Sequence, residues 1–332
     1  MRAAGSAGSA GSARPAPHIL VINGTKVRRP LFIVGAPHSG TGLLARAVKR
    51  SAGFHLTLGR PGVLRVAYAF ARRPSIAADR GQGAARVLRD AFAEAWQISP
   101  QACGECPQDC RALGGLSGPG VCVADPRATH RYADASPDLL YSVDVLLDAF
   151  PDAQVLQIIR DGRDVVADML GDEACLAWFR PGIANLDEVF PNPFLGVEDP
   201  MERARWPSAA VAVKCALRWR GAVRLSARLR AQIPEDQLAT VRYEDLVSRP
   251  ARELESVADY LGTPVCAEAL AGLDARDVGG WRDRLTRRQV TQVERIAGTE
   301  LARLGYQPAG SLPLGQRPPG SPSPRVDLLI KA

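Results

Sequence analysis

The chain has 332 residues, 46% hydrophobic and 23% charged, the balance of a folded globular protein rather than a disordered or fibrous one. Its formal charge is +7, but the arginines are scattered and no Lys/Arg block or RNA-type aromatic motif occurs, which argues against nucleic acid as partner. No apolar run approaches the roughly 20 residues that span a bilayer. The Gly/Ala/Ser stretch from Met1 to Pro17 lacks the apolar core of a signal peptide, so a cytoplasmic protein with no membrane partner is expected.

A tail is expected over 1–28. Pro30-Leu-Phe-Ile-Val-Gly35 then reads as a buried strand, and Thr41 to Arg50 as the helix that follows it. Val87, Leu88, Ala91, Phe92 and Ala95 recur at helical spacing within 82–97. Residues 99–127, rich in Gly, Pro and Cys, read as an irregular insertion. A helix from Asp138 to Phe150 leads into the strand Gln154 to Ile159, and Val165 to Leu170 is helical again. The prolines of 180–207 predict loop. Ser208 to Gln232 predicts a long helix carrying Trp219, Leu238 to Arg242 a third strand, and 250–261 and 286–304 two further helices. The stretch 307–332 is a Pro/Gly/Ser-rich tail. Strands alternating with helices predict one α/β domain over 29–306, a parallel sheet between two helical layers, with ligands at the carboxyl ends of the strands.

Between the first strand and its helix stands Gly35-Ala-Pro37-His38-Ser39-Gly40-Thr41-Gly42, with the glycine spacing of a phosphate-binding loop. Glycines let backbone N–H groups approach an anion, and the helix N-terminus adds partial positive charge. Thr41 stands where a nucleotide-splitting loop has lysine, and Gly42 where it has the magnesium-binding hydroxyl. The loop suits a phosphate and is badly equipped to split ATP. At the end of the second strand, Arg160 can take a phosphate bidentately, and Gly162 permits the turn into the next helix. A solvated cluster of Arg160, Asp161, Arg163 and Asp164 is the other reading of that segment.

The loop 35–42 resembles the 5′-phosphosulfate loop of the sulfotransferase superfamily. Arg160-Asp-Gly-Arg-Asp-Val-Val-Ala-Asp168 resembles its 3′-phosphate segment, and Val241-Arg-Tyr243-Glu-Asp-Leu-Val247 a third family segment. Asp134-Ala-Ser-Pro137, Gly279-Gly-Trp281-Arg282 and Leu304-Gly-Tyr306 are weaker echoes in the same order. The resemblance implies a P-loop-like three-layer fold with 3′-phosphoadenosine 5′-phosphosulfate as donor. Pro37, His38, Ser39, Gly40, Thr41, Gly42, Arg160, Asp168, Tyr243 and Arg282 would be its contacts, and Lys49 or Arg46 a nearby cation. The acceptor would be a hydroxyl or amine of a small molecule or carbohydrate, in a pocket lined from 60–135 and 171–207.

Three positions depart from the family pattern. His38 replaces an arginine, and Asp168 replaces a serine that touches the 3′-phosphate. The stretch after the first helix, Phe54 to Pro61, contains no Glu to serve as base. His55 is the candidate in that stretch, with His130 and Asp134 as rivals. These departures keep open a non-catalytic phosphate- or nucleotide-binding protein on the same scaffold, and more remotely a small-molecule kinase. Seven cysteines, an odd number, argue against a secreted disulfide framework. Cys103, Cys106, Cys110 and Cys122 have a spacing that structural zinc could use, with free thiols or a local disulfide as the alternatives.

Overall fold

The computed structural model describes residues 19–72, 82–99, 108–115, 125–272 and 278–311. It opens with a hairpin, β1 (Val21–Ile22) and β2 (Thr25–Lys26), inside the stretch expected to be tail. Asn23 and Gly24 at its turn both have positive φ (51° and 79°), the geometry of the two-residue turn that Asn-Gly favours. Ile22 is fully buried, and its carbonyl accepts a 3.0 Å hydrogen bond from the Tyr132 hydroxyl. The hairpin is thereby fastened to the domain, and the ordered chain begins before residue 29.

The elements then run β3 (Leu31–Gly35), α1 (Thr41–Lys49), β4 (Phe54–Thr57), α2 (Pro61–Arg72), α3 (Gln82–Ala95), α4 (Gln108–Leu113) and β5 (Arg131–Asp134). A 3₁₀ turn (Pro137–Ser142) leads into α5 (Val143–Ala149), β6 (Gln154–Ile159), α6 (Gly162–Met169) and α7 (Glu173–Ala177). After a loop come α8 (Pro200–Arg205), α9 (Val211–Gln232), β7 (Leu238–Arg242), α10 (Tyr243–Ser248), α11 (Pro250–Leu261), α12 (Trp281–Arg284) and α13 (Arg287–Arg303). β3 to β7 form one parallel sheet in the order β4-β5-β3-β6-β7.

Alternation along the central strands divides the core in two. Phe32 and Val34 of β3 face a layer with α2, α3, α5, α6, α9 and α13, while Leu31 and Ile33 face one with α1, α10 and α11. Sequence reasoning placed β3, β6 and β7 but not β4 and β5, which are short and polar: Phe-His-Leu-Thr and Arg-Tyr-Ala-Asp. Both are nonetheless largely buried, because strong partners cover their polar groups. Arg131 donates to the Arg29 and Leu261 carbonyls at 2.7 and 3.0 Å and to the Gln154 side chain.

β3 lies between β5 and β6, so the crevice at its carboxyl end is flanked on both sides, as open parallel sheets require for a binding site. One close approach elsewhere in the fold is demanding. Gly196 (φ 69°) and Gly221 of α9 let the turn at 192–197 lie against the helix. A Cβ on Gly221 would sit 2.6 Å from the Gly196 Cα, and one on Gly196 would collide with the Leu217 carbonyl.

Gly196→Ala is therefore expected to cost more than about 3 kcal/mol, which at about 3 °C per kcal/mol for a domain of this size lowers Tm by roughly 10 °C. Differential scanning calorimetry measures it. A Tm unchanged within a degree or two would show that the turn can move away from α9.

Candidate active site

The loop 36–40 turns tightly out of β3 because Ser39 bonds back to Ala36: its N–H reaches the Ala36 carbonyl at 3.1 Å and its hydroxyl the same atom at 2.6 Å. Gly40 (φ 106°) leads into α1 under the ring of Tyr243, which any Cβ there would strike. No side chain caps α1 and its first turn carries no acid, so its N-terminal N–H groups face the cleft with only the helix dipole for company. This is a surface for an anion.

Arg160 follows β6 at the carboxyl end, 5% exposed. Its Nη1 donates to the His38 carbonyl at 2.9 Å and to Asp168 Oδ2 at 2.7 Å, and its guanidinium lies 4.3 Å over the Tyr243 ring. Asp168 also accepts from Arg284. The carboxylate that sequence reasoning found out of place is thus held by two arginines. Asp164, one turn earlier, accepts from the Gly279 and Trp281 N–H groups at 2.8 and 2.7 Å. It thereby ties the 279–284 segment, with Arg282 and Arg284, to α6. Arg282 itself is exposed and stacks on Trp281 at 4.5 Å. Arg163 is not available to a ligand. It forms a fork with Asp161 (3.0 and 2.8 Å), reaches Glu294 at 2.9 Å and the Gln307 carbonyl at 2.7 Å, and lies under Trp281.

From the loop a cleft of about 610 Å³ opens between Pro37, His38, Thr41 and Gly42 on one side and Tyr68, Leu64, Leu113 and Trp178 on the other. Phe194 packs behind it, 4.8 Å from the Trp178 ring and 6.2 Å from Tyr68. At its floor Arg218, 1% exposed, donates to Asp138 at 3.0 Å and lies over Phe194. Burial, then the charge of Asp138 and a hydrogen bond to it, push the Tyr68 hydroxyl far above its ordinary value. At the rim, His38 donates from Nε2 to Asp172 Oδ2 at 2.9 Å.

Neither candidate histidine base reaches this cleft. His55 is buried mid-strand in β4, outside the cleft lining, with Nε2 lacking a partner. Burial first, then Lys49 and Arg60, lower its pKa to about 4, so it is neutral and feebly basic. His130 is exposed at the amino end of β5, the end away from the site. Asp134 lies closer but behind the wall, fully buried. It accepts from Thr57 Oγ1 (2.6 Å), the Gly59 N–H (3.1 Å) and Ser136 Oγ (2.7 Å), and so locks the two loops that carry Gly59 and Ser136.

The suggested cations are also elsewhere. Lys49 ends α1, about 12 Å of helix from Thr41 at about 1.5 Å per residue, and donates to the Leu56 carbonyl (2.8 Å) and Cys110 Sγ (3.3 Å). Arg46 is not part of the cleft lining. Cys103, Cys106 and Cys122 lie outside the described residues. Among the described residues no group of three or more His, Cys, Asp or Glu side chains could hold a metal ion, and zinc has no support.

Sequence reasoning missed Asp138, Asp172, Trp178, Arg218 and Arg284. Two had signals. Asp172 before Glu-Ala-Cys is a helix cap, and its Oδ1 accepts from the Ala174 and Cys175 N–H groups. Arg218 stands among apolar residues on the long helix, where a charge must have a buried partner.

A family model described as the sulfotransferase family matches residues 30–180 and 199–267. No curated sequence is similar enough to count as a relative. Among solved structures, the sulfotransferase domain of the Synechococcus PCC 7002 olefin synthase is 15% identical, covering 82% of this chain and 96% of that one, at a TM-score of 0.43. The sulfotransferase domain of the curacin biosynthetic pathway is 13% identical over 85% and 99%, at 0.41. Mouse sulfotransferase SULT7A1, complexed with PAP, is 12% identical over 84% and 87%, at 0.40. Among the described residues no helix is long and apolar enough to cross a membrane.

Asp134 makes a pH prediction. Burial pushes its carboxyl up to about 6 against the pull of its three hydrogen bonds. A raised carboxyl binds its proton more tightly in the folded state, so its ionisation subtracts stability as pH rises from the ordinary carboxylate range to about 6. Asp134→Asn lacks this loss, so its Tm relative to wild type should climb between pH 4 and 7. Thermal melts across that range give the difference; a flat difference would mean that Asp134 titrates normally.

Proposed function

The chain belongs to the sulfotransferase family and is an enzyme of that class, and from this premise we propose that it moves a sulfuryl group from 3′-phosphoadenosine 5′-phosphosulfate to the hydroxyl of an apolar, ring-containing small molecule. The observation that carries the donor half is the junction of Arg160 with the loop: two anion-binding segments leave adjacent strands, β3 and β6, at the same end and meet at the His38 carbonyl. One molecule carrying a 5′ and a 3′ anionic group fits such a pair. The loop N–H groups and the Thr41 hydroxyl would hold the phosphosulfate, and Arg160 with the start of α6 the 3′-phosphate. Thr41 and Gly42 in place of lysine and a magnesium-binding hydroxyl speak against ATP.

The acceptor half rests on the composition of the cleft. Tyr68, Trp178, Leu58, Leu64 and Leu113 supply apolar walls, and Arg218 and Asp138 pair with each other at the floor. A carbohydrate would need more unpaired polar groups than these walls offer, which favours an aromatic or alicyclic alcohol. In the reaction the acceptor oxygen attacks sulfur in line and the nucleoside bisphosphate leaves. The loop amides stabilise charge on the departing oxygen.

A thermal-shift titration with adenosine 3′,5′-bisphosphate, against ATP plus Mg²⁺, tests the donor site. The bisphosphate should raise Tm, ATP should not, and Arg160→Ala should abolish the shift. Because Asp168 competes with a phosphate for Arg160 and Arg284, Asp168→Ser should bind the bisphosphate about tenfold more tightly, a gain of about 1.4 kcal/mol. A misfolded variant could not produce that gain. Equal shifts with ATP, or none with the bisphosphate, would end the donor assignment.

A further inference from the structure

Among the described residues His38 is the one histidine in the lining of the cleft, and its surroundings differ from those of a simple anion ligand. Its backbone is left-handed (φ 62°), a conformation that costs a non-glycine residue energy and persists only where neighbours enforce it. The enforcing contacts are the Arg160 bond to its carbonyl and the Asp172 bond to its ring. Asp172 is an acceptor only. Its Oδ1 takes the Ala174 and Cys175 N–H groups at 2.9 and 3.3 Å, and Oδ2 is left for the imidazole. The ring nitrogen facing it, Nε2, must therefore carry the proton, and in the neutral ring Nδ1 is left with a bare lone pair. Nδ1 makes no hydrogen bond among the described residues. A carboxylate that fixes the tautomer and would neutralise the imidazolium is the arrangement of a general base.

We propose that His38 is the catalytic base of this enzyme and Asp172 the residue that positions it. The proposal rests on the sulfotransferase reading above and assigns the proton step within it. The acceptor O–H gives its proton to His38 Nδ1 as its oxygen bonds to sulfur. The bond from sulfur to the 5′-phosphate oxygen breaks, and the electron pair leaves with the bisphosphate. The imidazolium stays beside the Asp172 carboxylate until it loses its proton to water. One change at the loop, arginine to histidine, then accounts for two departures together: the lost loop cation and the missing Glu after α1.

The charged groups near His38 are consistent with this role. Arg160 touches its carbonyl and is itself engaged by Asp168. Cys175 is buried at the start of α7, and burial raises its thiol pKa, so it stays neutral. Across the cleft, Arg218 is paired with Asp138, which also holds Tyr68, and Asp109 of α4 lines the opposite wall. Burial would raise the Asp172 carboxyl, but the bonds from His38 and from the Cys175 and Ala174 N–H groups together hold it below the ordinary range. The pair therefore keeps a negative charge on the Asp172 side, facing the imidazole.

The test measures transfer from the phosphosulfate donor to 2-naphthol and to 4-nitrophenol, beside calorimetric binding of adenosine 3′,5′-bisphosphate, for wild type, His38→Arg and Asp172→Asn. A base predicts activity rising with pH through the imidazole range. It also predicts a loss of about 10²–10⁴-fold in kcat for 2-naphthol in His38→Arg. The loss should be much smaller for 4-nitrophenol, whose hydroxyl ionises far more readily than that of 2-naphthol, and bisphosphate binding should be kept. Asp172→Asn should lower kcat and displace the acidic limb of the pH profile, a change that mere loosening of the loop would not produce. His38→Arg as active as wild type on 2-naphthol, or activity that falls with pH, would show that His38 acts as a cation and overturn the proposal. Absence of bisphosphate binding by wild type would instead overturn the donor reading, and the base assignment with it.

Discussion

The site is organised by one buried cation. Arg160 reaches the His38 carbonyl, the Asp168 carboxylate and the face of Tyr243, and so joins the end of β3, helix α6 and the start of α10. A guanidinium this deep is tolerable only with its neighbours in place. Its burial therefore imposes conditions on segments far apart in sequence: Gly40 must pass beneath Tyr243, Asp168 must face inward, and β6 must end where β3 does. The Glu244 carboxylate extends the same bracing. It accepts from the Asp161 N–H at 2.8 Å and the Tyr306 hydroxyl at 3.0 Å, so the turn after Arg160 is also held from the end of the neighbouring strand β7.

The same economy runs through the rest of the domain and explains why a charge of +7 gives no hint of a nucleic-acid surface. Arg131, Arg163, Arg218, Arg220 and Arg242 are all buried or nearly so. Arg220 grips both oxygens of Glu202 at 2.7 Å, and Arg242 reaches the Leu304 carbonyl at 2.6 Å under the Tyr306 ring. With aromatics at only 6%, large core space is filled by arginine stems stacked on the few rings available. Such pairs add little net stability compared with apolar packing, but each accepts only one geometry, and removing either member is costly. In this fold arginine therefore serves to specify how loops meet more than to attract partners.

This economy also decides what could be read from sequence. β3, β6 and β7 carry apolar runs, and the long helices carry their periodicity, so the sheet's centre and its helical layers were legible. β4 and β5 were not, because His55, Arg131 and Asp134 break the apolar pattern and their burial depends on partners such as Gln154 and Thr57 that no local window contains. The hairpin at 21–26 was legible in principle, since Ile22-Asn-Gly-Thr25 is turn chemistry between short β-prone segments, but it was hidden in a stretch taken for tail. The glycine-bearing loop 35–42 and Arg160 were legible because their pattern is local: glycines, a strand end and a helix start. The bases suggested by proximity in sequence were misplaced, because which side chains line a cleft depends on which end of each strand they occupy. His130 and Asp134 are four residues apart, yet one stands at the amino end of β5 and the other at its carboxyl end.

The two substitutions that looked most damaging in the sequence each have a counterpart supplied from elsewhere in the chain. Asp168, a carboxylate where an anion should bind, is met by Arg284 from a segment that Asp164 anchors through backbone N–H groups. His38, a weaker cation than the arginine it replaces, is met by Asp172 from the loop leading into α7. In each case the local charge changes sign or strength and a residue of opposite charge arrives beside it. At Asp168 the exchange restores local charge balance; at His38 it leaves the loop less positive and sets a carboxylate beside a side chain that can carry a proton. It is in that redistribution, more than in the fold, that the chemistry of this chain departs from the pattern its loops resemble.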